Sequence, residues 1–108
     1  MTEDVARESD ARERQEIAAI LASGLKTEAF PRADTDEQVQ AIVARLREAR
    51  DLKSKLEIAG FTDHPIAHGG IEQACETCMY YLVHRQFCEL PELDFPVDPQ
   101  WSCRLWRI

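Results

Sequence analysis

All four cysteines of this chain lie in its last third, as Cys75, Cys78, Cys88 and Cys103, with the spacing C-x2-C-x9-C-x14-C. The stretch from Cys75 to Trp106 that carries them also holds both tryptophans and both tyrosines. Four soft thiols in so short a segment, with no nucleophile partner beside them, point first to a metal site. The C-x2-C pair closes a tight loop that brings two sulfurs toward one metal or one cluster, and it suits zinc and iron–sulfur equally. The other half discriminates: a four-cysteine zinc ribbon brings a second close pair, whereas Cys88 and Cys103 stand alone. Separated single cysteines suit a cubane, which spreads its ligands over four corners. The expectation is a [4Fe–4S] cluster held by Cys75, Cys78, Cys88 and Cys103, with zinc as the rival.

Length allows one domain, because 108 residues cannot bury a second full core. The net charge of −7 works against phosphate neutralisation, so nucleic acid is not an expected partner. The N-terminal MTEDVARESDARERQEIAAI has no basic region followed by an apolar run, and no stretch approaches the roughly 18 apolar residues of a membrane span. A cytoplasmic protein is expected, and that compartment keeps thiols reduced, which favours metal ligands over disulfides.

Residues 2–14 are almost wholly polar and form either a frayed extension or a helix that needs a partner. Ile17, Ile20, Leu21 and Leu25 then follow helical spacing up to Gly24, which predicts a helix over about 6–23. Pro31 breaks the pattern. Asp34 with Glu37, or Thr35 with Gln38, has the offset of a capping box, and Val39, Ile42, Leu46, Ala49 and Leu56 form an apolar stripe that ends at Gly60. A second helix over 36–59 is expected, paired with the first as an antiparallel hairpin in a helical region 1–60. Its stripe suits scaffold packing, a homo-oligomer seam or docking onto a larger complex. Basic residues Arg45, Arg47, Arg50, Lys53 and Lys55 give it a solvated outer face. Residues 61–74, with Asp63, Pro65 and Gly69-Gly70, read as a connector loop. IEQACETC reads as a turn of helix presenting two cysteines, and MYYLV with FCEL as two short strands around a turn. The fold class expected is mainly α: a helical hairpin followed by an irregular, metal-stapled module over 75–108 with at most a short β-ribbon.

Tyr80, Tyr81, Phe87, Trp101 and Trp106 are the expected apolar shell of the site, excluding water from a cluster. The alternative is an ordinary small core. Cys75, Cys78, His84 and Cys88 also spell a C-x2-C-x5-H-x3-C zinc set, which leaves Cys103 unused. The alternative function is therefore a structural zinc module, using all four cysteines or this CCHC set, whose helices dock a partner protein. His64 and His68 lie among Pro65, Gly69 and Gly70, which argues against helical metal-binding geometry. No catalytic arrangement can be picked out, so an enzyme is not expected.

One resemblance bears on the cluster. Cys75-x2-Cys78, then Cys88-x-Leu90-Pro91, Val97 and the ending Trp101-Ser102-Cys103-Arg104-Leu105-Trp106 resemble the ligand pattern of the high-potential iron–sulfur proteins over the last third of the chain. The resemblance implies that each cysteine ligates one iron of a [4Fe–4S] cubane within a shell of tyrosines and tryptophans. It implies one-electron transfer or redox sensing with a protein redox partner. Burial in an apolar, acidic setting would disfavour the most negatively charged cluster state, unless backbone N–H groups point at the sulfurs.

Overall fold

The computed structural model describes residues 3–107; residues 1, 2 and 108, at the outer ends of the expected regions 1–60 and 75–108, lie outside the described residues. Three helices and two small antiparallel sheets form the fold. The helices are α1 (Glu3–Ala22), α2 (Asp36–Glu48) and α3 (Leu52–Ala59). Strands β1 (Ile66–His68) and β2 (Ile71–Gln73) make a hairpin, and β3 (Tyr81–Leu82), β4 (Phe87–Cys88) and β5 (Phe95–Pro96) make a three-stranded meander. The architecture is thus mixed, with helices at the N-terminal end and five short strands beyond residue 60, more strand than the single ribbon expected.

Between the two capping boxes open to α2, the chain uses Thr35 with Gln38. The Thr35 hydroxyl accepts from the Gln38 N–H, and the Gln38 side chain accepts from the Thr35 N–H at 3.0 Å. The single helix expected over 36–59 is broken. Ala49 turns extended, and Asp51 caps a new helix by accepting from the Ser54 N–H at 3.0 Å and the Ser54 hydroxyl at 2.7 Å. The bend lets Leu46 and Leu56, both essentially fully buried, face the same core. Gly60 closes α3 in the left-handed conformation at φ +68°, and a Cβ there would run into the Glu28 carbonyl.

The expected antiparallel hairpin of two long helices does not form: α2 packs on α3, whereas α1 lies across β5. The extended segment after α1 makes this possible by pairing instead with the end of α3, where the Glu28 N–H donates to the Glu57 carbonyl at 2.9 Å and the Thr27 hydroxyl to the Phe61 carbonyl at 2.7 Å. The polar face of α1 also finds its partner there. Asp10, itself buried, takes a two-bond grip from Arg85 at 2.7 and 3.0 Å, and Arg14 donates to the Val97 carbonyl at 3.2 Å and the Gln86 carbonyl at 2.9 Å. The segment read as a connector, 61–74, contains the β1–β2 hairpin, turned by Gly69 and Gly70 at positive φ.

One continuous core results. Ile17, Ile42, Leu46 and Leu56 from the helices join Phe61, Phe95, Val97 and Leu105, and Cys75, Cys88 and Cys103 belong to the same cluster of buried side chains. Among the described residues no helix is long and apolar enough to cross a membrane.

Candidate metal centre

The four thiols are carried by three pieces of backbone, each fixed by bonds to distant segments. Cys75 opens a single 3-10 turn, Cys75–Thr77, closed by the Cys78 N–H donating to the Cys75 carbonyl at 3.0 Å. This is the turn of helix expected for the first two cysteines. The Cys75 N–H in turn donates to the Trp101 carbonyl at 2.6 Å, tying the pair to the last segment. Cys88 sits in the central strand of the meander, opposite Tyr81 on one side and Phe95 on the other. Cys103 lies in an irregular segment held on both flanks. Ser102 and Thr62 exchange backbone bonds at 3.1 and 2.8 Å, the Arg104 N–H donates to the Ala59 carbonyl at 2.9 Å, and the Ala33 N–H donates to the Arg104 carbonyl at 3.0 Å.

These elements bring all four cysteines to the wall of one small cavity. Tyr80, Tyr81 and Trp106 share the wall, and Trp106 is anchored there by its indole N–H, which donates to the Ala74 carbonyl at 3.0 Å. Among the described residues no charged side chain lines it. Two of the expected shell residues lie elsewhere: Phe87 is buried beneath the Arg85 guanidinium, 3.9 Å from its ring centroid, and Trp101 is buried in the core behind the Cys75 turn. In their place Phe61, Leu90, Leu93, Val97 and Leu105 complete the lining. His84, the fourth ligand of the CCHC zinc set, is exposed in the β3–β4 turn and takes no part in the wall. His68 pairs with Asp34 at 2.9 Å and His64 with Asp63 at 2.9 Å, both at the surface.

Part of the missed lining has a sequence signature. Leu90 and Leu105 each stand two residues after a cysteine, in Cys88-Glu89-Leu90 and Cys103-Arg104-Leu105. Both leucine side chains face the cavity, and both leucine N–H groups hydrogen-bond the sulfur two residues back. The repeated C-x-L unit thus supplies at once an apolar wall and a backbone donor.

The electrostatics follow from this burial. Desolvation pushes the Cys88 thiol up to about 12, opposed by the Leu90 N–H and reinforced by the neighbouring Cys78. Burial likewise pushes the Cys103 thiol up, with Cys88 and Cys78 adding to it and the Leu105 N–H working against it. Cys75 moves in the same direction, first from burial and then from the other three thiols. Ligation of a metal here therefore expels protons. Cys78 alone of the four is only partly buried, so one edge of the centre reaches the surface.

The four thiols are reduced and unpaired in disulfides. Among the described residues no group of three or more His, Cys, Asp or Glu side chains is placed to hold a single metal ion. No protein-family model, curated protein or solved structure matches the chain.

Proposed function

We propose that this is a small iron–sulfur protein, binding one [4Fe–4S] cluster through Cys75, Cys78, Cys88 and Cys103 and serving in one-electron transfer or redox sensing with a protein partner. The observation that carries the proposal is the convergence of all four thiols, from three separately anchored backbone segments, on one cavity with otherwise apolar and aromatic walls. A cluster bound through one iron per thiolate would supply a one-electron couple.

The donor set fits such a group. Soft thiolates are the ligands that iron–sulfur clusters take. The chain's own residues would do three things. Phe61, Leu93, Val97 and Trp106 exclude water, which protects against hydrolysis and keeps the local dielectric low. The Leu90 and Leu105 N–H groups disperse negative charge from the sulfurs of Cys88 and Cys103, the donors that favour the more reduced state. Cys78, at the mouth, gives an electron the shortest way to the surface.

The test is iron and acid-labile sulfide analysis, with a visible absorption spectrum, on the full chain purified without oxygen. About four irons and four sulfides per chain, with broad visible absorption, are expected for one cubane. One zinc per chain and no colour would replace the proposal with a structural zinc module.

A further inference from the structure

Arg32 is among the most deeply buried side chains of the protein, at 2 % exposure. Its guanidinium spends its protons on neutral acceptors. Nε donates to Gln73 Oε1 at 2.9 Å and Nη1 to the Ala29 carbonyl at 3.2 Å. Nη2 donates to Ser102 Oγ at 2.9 Å and to the Cys103 carbonyl at 2.7 Å. Among the described residues no carboxylate lies within ion-pair distance of it. Asp34, an acidic group whose charge reaches it, is engaged with His68.

Hydrogen bonds to neutral oxygens satisfy the geometry of a guanidinium but leave its charge. A lone buried cation is costly unless negative charge stands close by in the same low-dielectric region. The Nη2 bond to the Cys103 carbonyl places the guanidinium directly behind one of the four cysteines. Cys103 faces the apolar cavity. The cation is therefore buried behind the wall of a site whose proposed occupant, held by four thiolates, is anionic in every state.

We infer that Arg32 is the built-in countercharge of the four-cysteine centre, a positioning residue that stabilises the anionic occupied state and raises its reduction potential. The inference rests on the iron–sulfur reading above and deepens it. One electron taken from an external donor makes the centre more negative by one unit, and a fixed positive charge behind Cys103 favours that state over the oxidised one. Nothing in the apolar wall itself provides this charge; it comes from a side chain of the segment between α1 and α2.

Gln73 offers a test that leaves Arg32 in place. Gln73→Glu keeps shape and contact but puts a carboxylate against Nε, neutralising the guanidinium. The full chain and its Gln73→Glu, Arg32→Met and Arg32→Lys variants would be purified without oxygen and assayed for iron and sulfide. Each would then be titrated with dithionite and an oxidant while the visible spectrum is followed. Gln73→Glu and Arg32→Met are each expected to disfavour the reduced state at least tenfold, a fall of about 59 mV for a one-electron couple. Arg32→Lys keeps the charge and should stay within about threefold. An unmoved potential in iron-loaded Gln73→Glu overturns the inference, as does an Arg32→Lys shift as large as that of Arg32→Met, which would show packing rather than charge at work. Should Arg32→Met not fold, Gln73→Glu decides alone. A wild-type protein without iron and sulfide overturns the underlying reading, and this inference with it.

Discussion

Leu46 and Cys103 belong to one core, yet the two ends of that core are built by different means. Around Leu46 the backbone satisfies itself within helices, caps come from adjacent residues such as Thr35 and Gln38, and burial follows the helical period. Around Cys103 almost no regular structure exists. Its segment is held by bonds to Thr62, Ala59, Ala33 and Arg32, and each of those partners lies at least forty residues away in the chain. The helical end can be formed from local preferences, whereas the cysteine end can be formed only when the rest is in place. A cluster or metal would be the natural closing element of the second kind of structure, since binding energy at such a site becomes folding energy.

That contrast can be broken most forcefully at the thiols. Cys103→Ala is expected to remove iron, sulfide and visible absorption together and to lower the melting temperature more than any substitution in the helices, as metal analysis and a thermal scan would show. Retained colour and iron stoichiometry would refute the ligand assignment, and a single zinc retained by the variant would point to the set of Cys75, Cys78, His84 and Cys88. Leu46→Ala probes the other end. It should cost about 2–5 kcal/mol through the lost burial and the cavity left behind, read from the urea midpoint, with iron per folded molecule unchanged.

The join between the ends is tested by Asp10→Asn, which leaves Arg85 gripping a neutral group. A loss of about 1–3 kcal/mol is expected, and hydrogen exchange should quicken in α1 and the β3–β4 turn while α2 keeps its protection. The smallest effect belongs to the exposed pair of Arg45 and Glu28, which meet at 2.6 and 3.0 Å. Hydrogen bonding from Arg45 holds the Glu28 carboxyl below the usual carboxylate range, so the pair's contribution is present at neutral pH and fades as pH falls through that depressed value. Solvent screening keeps it under about 1 kcal/mol. Urea midpoints of Arg45→Ala and wild type should differ slightly at neutral pH, converge in acid, and draw together in high salt.

Local signals in the chain carried much of this. The caps at Thr35 and Gly60, the apolar spacing of Ile17, Ile42, Leu46 and Leu56, the turn at Cys75 and the strands either side of His84 all depend on residues a few positions apart, where backbone chemistry acts directly. The break at Asp51 was equally local, a D-x-x-S cap masked by a stripe of apolar residues that continues across it. The C-x-L units at Cys88 and Cys103 were also in plain view, but their meaning depends on which way a backbone N–H points.

What the sequence by itself determined is the inventory and the local elements: four thiols in a C-x2-C-x9-C-x14-C frame, an aromatic-rich final third, helices ended by Gly24 and Gly60. Tertiary structure decided everything that depends on long-range closure. It sent α1 to β5 rather than to α2, brought Phe61 and Val97 into the cavity wall while leaving Phe87 and Trp101 behind it, and buried the charge of Arg32 beside Cys103. The physical reason is that a buried arginine or a cavity wall is selected by the summed burial and hydrogen bonding of segments far apart in the chain, a quantity that no window of neighbouring residues contains.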